Sequence, residues 1–204
     1  MNSIDNYFVG AFAQTIKSNS SSPDITQFAN HLLPNKLHSK QWLVEQLAKH
    51  VTPDNVLLLG SWYPTYIPYY LGGNHFTCVD TDPTVRHLAE QFNIIMYGDN
   101  DKFRFTSTDA KLWLEHSHEQ YDVVINTSCE HMEFDLVEMN LNNKSMYAMQ
   151  SNNYTHADGI RITEHINCKS TLDEFVNSCG LSRLYYTGEL KLEQYTRFMV
   201  IGQK

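Results

Sequence analysis

Residues 56–60 read Val-Leu-Leu-Leu-Gly, a continuous apolar run that stops at a glycine. A run of this length without polar alternation is typical of a strand that is buried on both faces, as in a parallel sheet. A second short run, Phe76 to Val79, ends at Asp80, and apolar residues at helical spacing follow Pro83. The central region therefore begins as strand, connection, strand and helix, which is the pattern of an α/β protein.

The alternation of strands and helices continues to the end of the chain. Further strands are predicted at 103–106, 121–125 and 145–150. Further helices are predicted at 109–116 and 171–178. Gly180 is a suitable stop for the last helix, and two β-like runs at 182–187 and 196–202 then follow without a helix between them. We therefore predict an α/β fold: a doubly wound, seven-stranded, mostly parallel sheet with a C-terminal antiparallel hairpin, in a three-layer α/β/α sandwich.

The first 50 residues have a different pattern. Apolar spacing predicts an opening helix, and a Ser- and Asn-rich loop that ends in proline follows it. Pro34 is expected to break the chain again, and Ser39 is a plausible N-cap for the next helix. The sequence thus predicts an N-terminal helical cap over residues 1–50 and a main domain over residues 51–204.

Composition and charge restrict the class of partner. The formal charge is −8 over 204 residues and no dense Lys/Arg run is present, so the sequence disfavours nucleic acid as a partner unless a basic subunit assists. No apolar run reaches the roughly 20 residues of a membrane span, and no secretory signal is visible. We therefore expect no membrane association and a cytoplasmic location. The four cysteines form no CxxC pair and are expected as reduced thiols.

Polar residues follow the predicted strands, where open α/β sheets bind their ligands. After the first, second, third and fourth strands these residues are, in order, Gly60, Ser61 and Trp62; Asp80, Thr81 and Asp82; Asp109 and Ala110; and Asn126, Glu130 and His131. Asp80 lies about 20 residues beyond Gly60, the spacing at which a carboxylate can accept both ribose hydroxyls of a nucleotide. The sequence therefore indicates a nucleotide-type cofactor at this edge of the sheet.

This series resembles the class I S-adenosylmethionine-dependent methyltransferases over roughly residues 40–204. Gly60 matches the first glycine of the family's turn after strand one, and Asp80 matches the acidic residue that holds the ribose. Asp109 and the small residue after it match the pair that contacts adenine. The resemblance implies S-adenosyl-L-methionine as the cofactor. It implies that Ser61, Trp62, Thr81, Asp82, Ala110 and Asn126 complete the cofactor site.

The resemblance also implies where catalysis occurs. Many members that act on small molecules carry Glu-His shortly after strand four, as Glu130 and His131 do here. Both residues would lie beside the reactive sulfur, and His131 would accept the proton of the acceptor, since its unperturbed pKa is near neutrality.

The turn after strand one departs from the family's pattern. Trp62 stands where the second glycine is usual, Pro64 stands at the third, and Leu58 replaces an acidic residue inside the strand. A glycine at the second position allows the backbone to approach the ligand closely. Trp62 is therefore expected to narrow the amino-acid end of the pocket or to move the methionine moiety.

The predicted function is methyl transfer to an oxygen or nitrogen of a small or medium polar acceptor, with homo-oligomerisation left open. Three alternatives remain: a non-methylating use of the cofactor such as aminocarboxypropyl transfer, a non-catalytic methyltransferase-like binding module, and a nucleic-acid methyltransferase that works with a basic partner subunit. Missing glycines favour the first two alternatives, whereas the charge of −8 disfavours the third.

No metal site is predicted. Catechol-type methyltransferases place carboxylate ligands for Mg²⁺ after strands four and five, where this chain has Asn126, Asn152 and Asn153. A second group of possible ligands, His156, Glu164 and His165, lacks a recognised metal-binding spacing.

Each site residue also has a structural interpretation. A glycine after a strand is common in turns, and Asp80 and Asp82 would favour the N-terminus of the next helix by their charge. Asp109 is a possible N-cap, and His131 is a possible hydrogen-bonded structural histidine. The cofactor hypothesis depends on the joint occurrence of these residues at consecutive strand ends.

Overall fold

A seven-stranded sheet forms the centre of the computed structural model, which describes residues 5–98, 101–139 and 141–204. Its strands are β1 (Asn55–Leu59), β2 (His75–Asp80), β3 (Phe103–Ser107), β4 (Val123–Asn126), β5 (Met146–Asn152), β8 (Arg183–Lys191) and β9 (Thr196–Gln203). A separate two-stranded ribbon consists of β6 (His156–Ala157) and β7 (Ile160–Arg161). The sheet order is β3-β2-β1-β4-β5-β9-β8. β1 to β5 pair in parallel, whereas β9 is antiparallel to β5 and to β8, so the predicted sheet and its hairpin are confirmed.

Helices cover both faces of this sheet. They are α1 (Asn6–Ser18), α2 (Ile25–Ala29), α3 (Pro34–Leu47), α4 (Tyr66–Leu71), α5 (Thr84–Tyr97), α6 (Ala110–His116) and α7 (Leu172–Cys179). Helices α1 to α5 share one apolar core with one face of the sheet, and α6 and α7 share a second core with the other face. The three-layer prediction is therefore confirmed. Within the described residues, no helix combines the length and the apolar character needed to cross a membrane.

β1 is the strand around which both layers are organised. Its side chains alternate between the two cores: Val56 and Leu58 face one, and Leu57 and Leu59 face the other. All four are at most 3% exposed, which explains why the run contains no polar residue. Because β1 pairs with β2 on one side and with β4 on the other, the strand order reverses there, and a crevice opens beyond the carboxyl ends of these strands.

The predicted start of the third helix is wrong. We expected Pro34 to break the chain and Ser39 to cap a helix, but α3 begins at Pro34 itself. Proline is well accommodated at the first helical position, because the N–H that it lacks has no partner within the helix there. Ser39 therefore lies inside α3, where its hydroxyl donates a hydrogen bond of 3.0 Å to the carbonyl oxygen of Lys36.

The N-terminal helices join the main core through an aromatic cluster. Phe12 and Phe28 stack with ring centroids 4.4 Å apart, and Phe28 meets the edge of Tyr63 at 5.2 Å. Phe8 contacts Phe92 of α5 at 5.4 Å. These helices thus share apolar burial with the sheet layer, and a domain boundary at residue 50 stays a prediction.

Replacing Phe28 by alanine should lower the free energy of unfolding by about 3–5 kcal/mol, because a fully buried ring is lost and a cavity remains. Urea denaturation followed by circular dichroism measures this loss. Val9→Ala on α1 is the matched control, since Val9 is 49% exposed and should change stability by about 0.5 kcal/mol or less. Equal effects of the two substitutions would contradict the assignment of this cluster as part of the main core.

Candidate active site

A cleft of about 960 Å³ lies beyond the carboxyl ends of the central strands. The structure brings these predicted site residues to its wall: Gly60, Ser61, Trp62, Asp80, Thr81, Asp82, Asp109, Ala110, Glu130 and His131. A volume of this size is at the upper end of the roughly 300–1,000 Å³ seen for small-molecule sites. The cleft can therefore hold a nucleotide-sized molecule together with part of a second ligand.

The turn after β1 is fixed to the end of β2. Gly60 has φ of +57°, in the left-handed region that favours glycine. The backbone N–H of Ser61 donates to the carbonyl oxygen of Val79 at 3.0 Å, and that of Trp62 donates to Oδ2 of Asp80 at 2.7 Å. Trp62 has φ of +45°, so it keeps a glycine-like backbone conformation at the position where the usual second glycine is missing.

The Trp62 ring lies among residues of the N-terminal helices. It contacts the His31 ring at a centroid distance of 5.4 Å and the Tyr63 ring at 4.9 Å. The ammonium nitrogen of Lys36 lies 4.2 Å from the centre of the indole, a distance at which the ring face attracts a cation. The indole also forms part of the cleft wall.

The carboxylate of Asp80 lies beside the turn after β1 and accepts hydrogen bonds from the backbone. Its Oδ2 accepts the Trp62 hydrogen bond, and its Oδ1 accepts one from the backbone N–H of Asp82 at 3.0 Å. A carboxylate offers about four lone-pair positions, so both oxygens keep capacity for a ligand hydroxyl. Asp82 itself accepts from the N–H and the hydroxyl of Thr84, at 2.9 and 2.7 Å, and so supports the start of α5.

Asp109 is the N-cap of α6. Its Oδ1 accepts from the backbone N–H groups of Lys111 and Leu112 at 2.8 and 3.1 Å. The interpretation of Asp109 as an N-cap is therefore correct for its Oδ1. Asp109 and Ala110 also form part of the cleft wall.

Asn126 lies away from the cleft wall. Its side chain is buried, its Oδ1 accepts from the backbone N–H of Ser128 at 2.7 Å, and it borders a separate small cavity together with Cys129 and Phe175. The structure therefore does not bring the Asn126 side chain together with the other predicted cofactor residues.

Glu130 follows β4, on the other side of β1 from Asp80 and Asp109, and it borders the same cleft. Its side chain is buried, with only 4% of the residue exposed. Its Oε1 accepts from Nδ2 of Asn152 at 2.6 Å and from the guanidinium of Arg197 at 2.7 Å. Arg197 also donates to the carbonyl oxygen of Thr127. Glu130 is thus a fixed, ion-paired carboxylate.

His131 and His165 stand beside this carboxylate with their rings edge to face, 4.7 Å apart between centroids. Nδ1 of His131 donates to the carbonyl oxygen of Glu164 at 2.9 Å, and Nδ1 of His165 donates to that of Tyr154. A backbone carbonyl only accepts, so each neutral ring carries its proton on Nδ1 and has a lone pair on Nε2.

Three basic residues also line the cleft, and we call them the positive wall. Lys36 and Lys40 come from α3 and Arg197 comes from β9. Burial, together with the positive charges of Lys36 and Arg197, lowers the pKa of Lys40 to about 7. Nζ of Lys40 lies 3.2 Å from Nε2 of His31, whose own pKa burial holds well below its usual value. Among the described residues, neither lysine takes part in a salt bridge.

Sequence reasoning missed this positive wall. Lys36 and Lys40 are spaced i, i+4 and therefore lie on one face of a helix, but the predicted helix began at Ser39 and excluded the first of them. Arg197 was included only as part of a strand. Arg197 directly precedes the continuous apolar run 198–201 of β9, and a charged residue beside such a run is the signal that could have indicated a buried pair at this strand end.

Replacing Lys40 by methionine should raise the free energy of unfolding by about 1–2 kcal/mol at pH 6, because a half-buried charge without an acidic partner is removed. Since Lys40 loses its proton as the pH rises through about 7, the gain should shrink by pH 9. Denaturant titrations at both pH values measure the difference from the unsubstituted chain.

Lys49→Met serves as the control for that titration, since Lys49 is exposed and should change stability little at either pH. A loss of stability in Lys40→Met at pH 6 would contradict the description of Lys40 as an uncompensated charge.

Comparisons with known proteins agree with the fold. Neither a family model nor a curated protein matches the sequence. The N-methyltransferase NodS from Bradyrhizobium japonicum WM9 superposes with a TM-score of 0.60 at 10% identity, over 85% of this chain and 98% of that one. The magnesium protoporphyrin IX methyltransferase (ChlM) from Synechocystis PCC 6803, solved with bound S-adenosylmethionine, superposes with a TM-score of 0.57 at 12% identity over all of both chains.

A third solved structure extends the likeness. An O-methyltransferase family protein from Burkholderia thailandensis superposes with a TM-score of 0.55 at 14% identity, and it covers 93% of this chain. The chain spans 63% of the length of that protein. The sheet order, the antiparallel β9 and these superpositions agree with one another, and the chain has the fold of the class I S-adenosylmethionine-dependent methyltransferases.

Proposed function

We propose that the protein is an S-adenosylmethionine-dependent methyltransferase that acts on an oxygen or nitrogen of a small or medium polar acceptor. The observation that carries the proposal is the convergence of the predicted residues at the ends of β1, β2 and β3 on one cleft, at the point where the strand order reverses. The similar solved structures include O- and N-methyltransferases, so the element that is methylated belongs to the proposal.

The residues of the cleft fit the cofactor. Asp80 keeps lone pairs for the ribose hydroxyls, and Asp109 with Ala110 lies where the resemblance predicts the adenine. The turn at Gly60 and Trp62 contacts Asp80 through the backbone N–H of Trp62, and Lys36 of the positive wall through the indole ring. When bound, S-adenosylmethionine supplies a methyl group on a cationic sulfur.

The positive wall suits the carboxylate of the cofactor. If the adenine is held by Asp109 and the ribose by Asp80, the amino-acid end extends past Gly60 towards α3. Lys40 lies there and also borders the smaller cavity behind Gly60. A carboxylate would compensate a cation that has no acidic partner in the described structure, and an N⁺–H···O⁻ hydrogen bond is among the stronger contacts available.

The acceptor would bind at the other end, beside Glu130 and His131. Tyr154 and Tyr195 stack there with centroids 5.0 Å apart and form part of the cleft wall. The Glu130 carboxylate fixes Arg197, which also borders this end of the cleft. Nε2 of His131 has a lone pair with which it can take a proton from the acceptor, and close placement of the two reactants would contribute most of the rate.

Isothermal titration calorimetry of the EDTA-treated chain with S-adenosylhomocysteine tests the cofactor assignment. We expect a dissociation constant in the micromolar range and a loss of about tenfold or more in Asp80→Asn, because a neutral amide accepts ribose hydroxyls less well. Asp173→Asn in the first turn of α7 is the matched control and should bind as the unsubstituted chain does. No heat at millimolar ligand would refute the proposal.

Product analysis then distinguishes the reactions. Turnover that yields S-adenosylhomocysteine supports methyl transfer, whereas methylthioadenosine would identify aminocarboxypropyl transfer. Cofactor binding without either product, across oxygen and nitrogen acceptors, would favour a non-catalytic binding module. A gel shift by the isolated chain at physiological salt would support direct contact with nucleic acid.

The Lys40 amine should take up a proton when the cofactor binds. At pH 8.5 the free amine is mostly neutral because its pKa is about 7, and a bound carboxylate favours the protonated form. Calorimetry in two buffers of different ionisation enthalpy should therefore show more proton uptake for the unsubstituted chain than for Lys40→Met. At pH 6 the two chains should take up nearly equal amounts, and equal uptake at pH 8.5 would exclude Lys40 from the carboxylate site.

A further inference from the structure

We propose that Glu130, His131 and His165 bind a divalent transition-metal ion in the acceptor end of the cleft. One ligand atom from each residue lies within 4.8 Å of the other two. Three atoms bound to one ion at about 2.1 Å are roughly 3–3.5 Å apart. His131 is exposed and His165 is partly buried, so modest side-chain rotations suffice to close the site.

The hydrogen bonds of both histidines already select the nitrogen that a metal needs. Each ring donates its Nδ1 proton to a backbone carbonyl, of Glu164 for His131 and of Tyr154 for His165. This arrangement is the usual outer support of a metal-bound histidine, because it fixes the tautomer and directs the Nε2 lone pair at the ion. The two rings lie 4.7 Å apart, and both hydrogen bonds select the tautomer that a metal ion requires at Nε2.

The carboxylate contributes an independent observation. Oε1 of Glu130 is taken by Asn152 and Arg197, whereas Oε2 is buried and has no hydrogen-bond partner among the described residues. An unpaired buried carboxylate oxygen is costly, and a cation beside it would remove that cost. Arg197 neutralises part of the negative charge, but its hydrogen bond goes to Oε1 and leaves the lone pairs of Oε2 unused.

The donor set determines the class of ion. Two imidazoles and one carboxylate suit Zn²⁺, Mn²⁺, Fe²⁺ or Co²⁺, whereas Mg²⁺ and Ca²⁺ prefer oxygen ligands only. Three protein ligands leave coordination positions open. Because Glu130, His131 and His165 all border the cleft, those positions would face the space in which the acceptor is proposed to lie.

The role of the ion rests on the proposed function. A metal at this place would bind an oxygen of the acceptor and lower the pKa of its hydroxyl. Nε2 of His131 would then be a ligand, so in the metal-bound chain the ion would replace His131 as the group that activates the acceptor, and the hydroxyl proton would pass to solvent water. Metal binding itself needs no cofactor, and it can therefore be tested without assuming methyl transfer.

The test uses the untagged full chain after treatment with EDTA and dialysis. Titration with Co²⁺ should produce visible absorption of a coordinated ion at one equivalent per chain, and Zn²⁺ should displace it. Calorimetry with Zn²⁺, Mn²⁺ and Mg²⁺ should show the weakest binding for Mg²⁺. His165→Gln and Glu130→Gln should each weaken Zn²⁺ binding by about tenfold or more.

His156→Gln is the matched control, because His156 is exposed in the nearby ribbon and lies outside the proposed site. It should bind Zn²⁺ as the unsubstituted chain does. Thermal melting and S-adenosylhomocysteine binding in EDTA check that the variants fold, and they test the proposed function separately. Absence of binding at millimolar Zn²⁺, equal affinity in folded His165→Gln, or a preference for Mg²⁺ would each overturn the proposal.

Discussion

The pairing of β1 between β2 and β4 is the constraint on which the rest of the structure depends. Both faces of β1 are covered, so each side chain of the run 56–59 is assigned to one of the two apolar cores. The connections on its two sides must carry the chain to neighbouring strands in opposite directions. A crevice between the diverging connections follows from this topology, and the residues after β1, β2 and β3 are brought to it from distant parts of the sequence.

The continuous apolar runs predict the strands of the sheet correctly. They do not predict where the side chains at the carboxyl ends of those strands lie. The run 56–59 could satisfy burial on both faces only as a central strand, and the same holds for the strand before Asn126. Asn126 itself was placed among the cofactor residues because it ends that strand. In the structure its side chain accepts a hydrogen bond from Ser128 and is buried outside the cleft. Such local turn contacts compete with ligand contacts at a strand end, and the spacing of residues does not reveal which contact forms.

The acceptor end of the cleft brings together residues that are far apart in the sequence, and a local sequence pattern does not predict such contacts. Glu130 and His131 are adjacent in sequence and were predicted together, but His165 reaches them from the segment after β7, and Arg197 reaches them from β9. Lys36 and Lys40 were missed for a different reason. Pro34 was interpreted as a break, although the first position of a helix accommodates proline without loss of a hydrogen bond. Lys36 therefore fell outside the predicted helix, and its pairing with Lys40 on one helix face was not seen.

The turn at Trp62 shows how the chain retains this geometry without the usual second glycine. The residue keeps a positive φ, and its N–H is bonded to Asp80, so the carboxylate at the end of β2 stabilises a backbone conformation that is costly for a residue with a Cβ. The indole is directed towards His31 and Lys36, where it packs against the helices that carry the positive wall. The departure at Trp62 thereby links the cofactor turn to α3. In a glycine-containing turn that link would be absent, because the position would have no side chain to make it.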